Sequence, residues 1–199
     1  MHTSPTVRKI NNINGLSKVI GFFASNKLKL LIPWESQLER DACYLFEYDE
    51  NIKKYTSQPK TFVFSYQGKK IKYTPDFYVE YQDKEFEYIE IKYSESLRNE
   101  KTVKKLKLVK NYFDFIKIKF KILYDDEIRL QPRLKNIKFL YKYSKNSYYN
   151  YSNLGLEKTT IKNLSKILDY QTIYAAMFLK DINFNINQDI DDDTIVWLN

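Results

Sequence analysis

Three acidic side chains and one lysine are the groups in this chain best placed to do chemistry. Pro75-Asp76 lies inside the segment "KIKYTPDFYVEY", and Glu90-Ile91-Lys92 inside "EFEYIEIKY". Glu90 and Lys92 are two residues apart, so in a strand both project from one face, while Ile89 and Ile91 project from the other. The polar turn Gln82-Asp83-Lys84 folds the two segments together and brings Asp76 beside the Glu90/Lys92 end. Hard carboxylate oxygens suit Mg²⁺. A metal held there activates water and neutralises charge developing on a phosphodiester. The lysine ammonium holds the attacking water or stabilises pentavalent phosphorus. Glu39 belongs with this set, because it shares a helix face with Ala42, Cys43 and Phe46. A glutamate on an apolar face is costly unless paired or metal-bound. Glu35, one turn earlier, is the alternative. Each piece also has an ordinary reading: a turn into a strand for Pro-Asp, a solvated charge pair for Glu-x-Lys, an Arg40 or Lys92 partner for Glu39. The order and combination carry the argument.

The elements that must position these groups are legible in outline. "KLKLLIP" reads as a short edge strand closed by Pro33. A helix is expected from Glu35 to about Asp49, because Leu38, Ala42, Leu45 and Phe46 fall on one face. Residues 52–93 then read as an antiparallel meander, with Gln67-Gly68 as a tight turn. A second helix runs from Arg98 to about Phe115, with Val103, Leu106 and Val109 facing the sheet. The remainder reads as a strand at 118–124, a helix near 131–142, two short helices between Lys158 and Lys180, and a terminal hairpin whose tip is "DIDDD". These divide the chain into a flexible N-terminus (1–18), a main domain (19–143), a polar linker (144–153) and a small winged-helix-like module (154–199).

Composition narrows the chemistry. The 199 residues hold one Cys and one His, His2. An internal disulfide is excluded and a reducing, cytoplasmic setting expected. The single His also removes most metal-hydrolase and Ser/His or Cys/His mechanisms. Four glycines and no Gly-rich phosphate loop argue against nucleotide hydrolysis. No apolar run approaches a membrane span, and no leader-type apolar block opens the chain. The net charge is +8, of which +10 falls on residues 1–144 and −2 on residues 145–199, so a polyanion is the expected partner. Between Arg98 and Lys121 nine basic residues face two acidic ones, Glu100 and Asp114. Lys101, Lys104, Lys105 and Lys107 are placed on the solvent side, where they would bind DNA phosphates without reading sequence. Lysine bias from an AT-rich genome is the competing explanation.

Taken together, "PWESQLERDACYLFEYDENIKKYTSQP", "IKYTPDFYVEY", "EYIEIKYSESLRNEKTVKKLKLVKNYF" and "FKILYDDEIR" resemble the PD-(D/E)xK restriction-endonuclease-like superfamily. Within it they are most similar to the TnsA-like transposon endonuclease N-terminal domain. The resemblance covers roughly Ile32 to Arg129. It implies an α/β (α+β) fold with a central mixed sheet flanked by helices. It puts the helix-borne catalytic acid on Glu39, the metal-binding aspartate on Asp76 and the ExK pair on Glu90 and Lys92; the transposon protein itself has Gln where this chain has Glu90. The implied activity is Mg²⁺-dependent (Mn²⁺ substituting) hydrolysis of DNA to 5′-phosphate and 3′-hydroxyl ends. Asp76, Glu90, the Ile91 carbonyl and Glu39 would hold the metal, with Lys92 at the water. The family's partners are DNA, a DDE transposase and an AAA+ ATPase regulator. A stand-alone nuclease in a phage or mobile element, in a bacterial or phage-infected cell, and a non-catalytic DNA-binding module are the alternatives.

Overall fold

The computed structural model describes residues 2–4, 19–145 and 158–198. The expected flexible segment at 1–18 lies outside the described residues apart from 2–4, and the expected linker at 144–153 apart from 144–145. The chain forms two compact units, Met1–Ile128 and Arg129–Asn199.

The first unit begins with β1 (His2–Thr3), β2 (Gly21–Ser25) and β3 (Leu30–Trp34), a three-stranded sheet in the order β1-β3-β2. Two departures from the sequence reading appear here. His2 and Thr3 are not loose but pair in parallel with Leu30 and Leu31. Pro33 does not close an edge strand; β3 runs through it to Trp34, between two neighbours. Among the described residues β3 has neighbours on both sides at Leu30 and Leu31, and Pro33 pairs with Phe22 of β2, a place where a residue without an N–H is tolerated.

Helix α1 (Gln37–Tyr48) follows, capped by Ser36, whose hydroxyl accepts from the Glu39 N–H. Its inner side buries Leu38, Ala42, Cys43 and Phe46. β4 (Ile52–Ser57), β5 (Phe62–Tyr66), β6 (Lys69–Tyr73), β7 (Phe77–Tyr81) and β8 (Phe86–Lys92) come next. They do not form one continuous meander. β4 pairs with β7, and β5–β6 stands apart as a two-stranded hairpin. The break falls at Gln58, which takes a positive φ of 44° beside Pro59, ending β4, and whose N–H bonds to the Asp76 carbonyl at 2.8 Å. The hairpin turn is the expected one, with Gln67 and Gly68 at φ 47° and 72°, values that suit the twist of two paired strands.

After a 3₁₀ turn at Ser94–Arg98, α2 (Glu100–Phe115) starts at the Asn99 cap, and β9 (Phe120–Tyr124) and α3 (Asp125–Ile128) complete the unit. β9 joins β8 in parallel, so the four-stranded sheet β4-β7-β8-β9 is mixed. α2 buries Val109 and Phe113 against Phe62, Tyr73 and Tyr88, and its Leu106 is buried as well. Val103, expected on that face, is 39% exposed, a full turn nearer the helix start than the first buried residue.

The second unit contains α4 (Arg133–Tyr141), β10 (Thr159–Thr160), α5 (Ile161–Leu164), α6 (Tyr170–Leu179), β11 (Ile182–Phe184) and β12 (Ile195–Leu198). The strands form an antiparallel sheet in the order β10-β12-β11. Asn136 on α4 donates to the Ile186 and Gln188 carbonyls at 2.9 and 2.7 Å. The stretch 129–143, read from sequence as part of the first domain, thus groups with the second unit. The acidic tip is a self-bonded turn in which Asp191 accepts from the Asp193 N–H and the Thr194 hydroxyl.

Candidate active site

Asp76 sits at the entry to β7, where its backbone is pinned to the end of β4 and its side chain to the next strand. Its Oδ2 accepts the Ile91 N–H at 2.7 Å. The β7–β8 register, Phe77 opposite Ile89, brings Asp76 level with Glu90–Lys92. Ile89 and Ile91 are buried, as the alternation requires, and Glu90 is buried too, at 6% exposure. The Lys92 ammonium lies 2.5 Å from Glu90 Oε1, 3.1 Å from the Ile91 carbonyl oxygen and 4.0 Å from Asp76 Oδ2. Lys101, Lys104, Lys105 and Lys107 are all exposed on α2; Lys104 is paired with Glu100 at 3.1 Å.

A cavity of about 450 Å³ opens over this cluster, lined among others by Glu39, Tyr73, Asp76, Glu90, Lys92 and Lys105. Glu39, Asp76, Glu90 and Lys92 therefore reach one cavity, and of the four α2 lysines Lys105 alone is in its lining. Glu35 lines it as well. Glu39 is buried, as its place on the apolar side of α1 requires. It is not bare: its carboxylate accepts from the Glu35 N–H at 2.9 Å and the Ser36 hydroxyl at 3.0 Å. This is reciprocal capping of the helix start, announced by Ser36-x-x-Glu39, a pattern the functional reading of Glu39 passed over.

Electrostatics tie the groups together. Burial, then the charges of Glu90 and Glu39, hold the Asp76 carboxyl well above the usual aspartate range, against Lys92 and the Ile91 N–H, which lower it. Burial works against the Lys92 charge, but Glu90 and Asp76 outweigh it and keep the ammonium above the usual lysine range. Carboxylates crowded this closely favour any cation that enters.

Tyr73 is the group that sequence reasoning missed. Its ring is 4% exposed and packs in the α2 core, its hydroxyl is buried beside the Glu90 carboxylate, and Glu90 is the strongest charge acting on it. Burial and that charge push its phenol far up, so it is a donor at every ordinary pH. The Lys105 ammonium lies 5.6 Å above its ring. The inward alternation of Ile71 and Tyr73 could have flagged it.

The donor set accommodates a hard cation. The ammonium of Lys92 is itself a cation seated among oxygens of Glu90, Ile91 and Asp76, and Glu90 Oε2 is buried with no hydrogen-bond partner. Among the described residues no three His, Cys, Asp or Glu side chains converge on one point. The protein thus offers two carboxylates and a carbonyl, a supply that suits an ion keeping other positions for water and substrate oxygens.

A mixed sheet flanked by helices carries an acid–acid–lysine cluster at its β7/β8 edge, an arrangement consistent with a restriction-endonuclease-like core. Residues 49–125 match the family model of the TnsA-like endonuclease N-terminal domain. The match takes in Asp76, Glu90, Ile91, Lys92 and the α2 lysines; Glu39 on α1 lies before it, so its membership of the site rests on geometry. Comparison with curated proteins finds no match. Among the described residues no helix is long and apolar enough to cross a membrane.

Proposed function

We propose that the chain is a Mg²⁺-dependent DNA endonuclease, with Mn²⁺ able to substitute. The observation that carries this reading is the convergence of Asp76, Glu90 and the Ile91 carbonyl around one cationic position. Asp76, Glu90 and that carbonyl would hold the ion, with Glu39 in the same cavity. Bound there, the ion supplies Lewis-acid activation of water and neutralises charge on the phosphorane. Lys92 holds the attacking water or a non-bridging oxygen through its ammonium. Asp76, locked to the Ile91 N–H, keeps the strand edge in register with the phosphate. Water adds at phosphorus, the P–O3′ bond breaks and the 3′ oxygen takes up a proton, leaving 5′-phosphate and 3′-hydroxyl ends. Lys105 at the rim, with Lys101, Lys104 and Lys107 further along α2, positions phosphates.

The wider setting we propose is cleavage at transposon or mobile-element ends in a bacterial cytoplasm, with a DDE transposase and an AAA+ ATPase as partners; the TnsA-like match supports the nuclease part of that reading. A phage or mobile-element nuclease acting alone is the alternative setting. The second unit, in which helices precede a terminal hairpin, is read as a winged-helix-like DNA-binding module.

The test is nicking of supercoiled plasmid with Mg²⁺ and with EDTA, paired with calorimetric titration of the ion into the free chain. Wild type should bind the ion and nick. Asp76→Asn should lose both, and Lys92→Ala should lose nicking by a factor of about 10² to 10³ while still binding the ion. Nicking that survives in both variants would place the chemistry elsewhere.

A further inference from the structure

The β5–β6 hairpin carries a surface that the active-site reading leaves unused. Its two faces differ sharply. Phe62 and Tyr73 are buried in the α2 core, and Phe64 stacks on Tyr112 with ring centroids 4.1 Å apart. The opposite face carries Val63, Ser65, Lys70 and Lys72, all exposed, in the cross-strand pairs Val63–Lys72 and Ser65–Lys70. Between Gln58 and Pro75 the chain has four lysines and no acidic residue. Among the described residues Lys69, Lys70 and Lys72 have no ion-pair partner, whereas Lys53, Lys54, Lys92, Lys104, Lys119 and Lys135 each have one. Lys72 also lines the active-site cavity, so unneutralised charge runs from the catalytic cluster along Lys72 and Lys70 to the hairpin tip, where Lys69 is exposed opposite Tyr66.

Core aromatics anchor one face while the other is cationic and solvated, so the hairpin is a rigid arm rather than a loose loop. A five-residue strand spans about 17 Å, roughly half a helical turn of B-DNA. A two-stranded ribbon fits the major groove. Its tip, Tyr66-Gln67-Gly68-Lys69, is exposed, with Tyr66 47% open to solvent.

We propose that this hairpin grips the DNA duplex beside the cleaved bond. Lys72 takes a phosphate next to the site, Lys70 and Lys69 take phosphates further along, and the tip rests at the groove. The proposal rests on the DNA endonuclease reading and adds the hairpin to α2 as a surface of its substrate channel.

The test measures equilibrium binding of a short fluorescein-labelled duplex by anisotropy, in EDTA, between about 50 and 200 mM salt. It compares the full chain with Lys69→Ala/Lys70→Ala and with the control Lys53→Ala/Lys54→Ala. Each phosphate contact contributes about 0.9 to the slope of log K against log salt. The hairpin pair should therefore lower the slope by about 2, and the control pair should leave it unchanged. Equal losses in both pairs, or none in the hairpin pair, overturn the proposal. If the hairpin pair lowers the slope as stated but wild type cleaves under no divalent cation, the grip stands and the endonuclease reading falls. If wild type does not bind duplex at all, both fall.

Discussion

Asp76 is held by contacts of opposite electrostatic sign. The Ile91 N–H and the Lys92 ammonium favour its charged form; burial and the charges of Glu90 and Glu39 oppose it and prevail. A carboxyl whose folded pKa is raised costs stability once it ionises. That cost is full above the folded pKa and absent below the ordinary aspartate value of about 3.9. In EDTA at neutral pH, Asp76→Asn should therefore unfold at a higher temperature than wild type. The gap should narrow as the pH falls through the raised folded value. Added Mg²⁺ should raise the melting temperature of wild type, by linkage to the folded state, and not that of the variant. Thermal unfolding across pH, with and without the ion, checks this; a less stable Asn variant at neutral pH in EDTA would contradict it. At this scale the sequence shows much: the types and spacing of Asp76, Glu90 and Lys92 are legible because period-2 geometry is a property of the strand alone. Tyr73 is legible only in part: the alternation with Ile71 turns it inward, but nothing local distinguishes an inward tyrosine that packs from one that also faces a carboxylate.

Among the elements, α1 is the one whose start matters most to the site. Ser36 caps it, and the same hydroxyl donates to the Glu39 carboxylate at 3.0 Å, so one side chain both begins the helix and aims the acid. Ser36→Ala should cost about 1 kcal/mol of stability and lower cleavage in the same variant, while Ser36→Thr should keep most of both. Chemical denaturation and plasmid nicking read the two effects; unchanged cleavage in the alanine variant would detach Glu39 from the reaction. The helix, its cap and its buried stripe are written in consecutive residues. The departure of β5–β6 from the sheet is not. Apolar alternation suits a strand in either place, and the choice is made by Gln58, whose N–H bonds to the Asp76 carbonyl eighteen residues on.

Charge looks different once it is counted over the two units. Met1–Ile128 holds 23 Lys+Arg against 18 Asp+Glu, or +5, and Arg129–Asn199 holds ten against seven, or +3. The basic body and acidic tail inferred from sequence came from a division placed after α4; α4 and its flanks carry Arg129, Arg133, Lys135, Lys138 and Lys142 into the second unit. Both units are cationic, so DNA affinity should not depend on the catalytic acids. Asp76→Asn should bind duplex DNA within about threefold of wild type, about 0.7 kcal/mol, and with the same salt slope, while it fails to cleave. Anisotropy titrations of the two proteins test this, and loss of binding in the variant would tie affinity to the metal site instead.

The sequence by itself determined the chemical inventory. With one His, one Cys and no phosphate loop, carboxylates and a lysine remained, and strand alternation set Glu90 and Lys92 on one face. It also located α1 and α2 to within two residues of their starts, Glu35 and Arg98 expected against Gln37 and Glu100 found, and most of their apolar sides, Val103 excepted, since 3.6-residue periodicity is local. The tertiary structure decided which strands are neighbours, that β9 joins β8 in parallel, that the hairpin leaves the sheet and packs on α2 with Lys70 and Lys72 outward, and that α4 belongs with the second unit. The physical reason is that pairing and packing are chosen by the free energy of the whole chain. Several partners suit an amphipathic strand equally well locally, and only the sum of buried area and satisfied backbone bonds selects one.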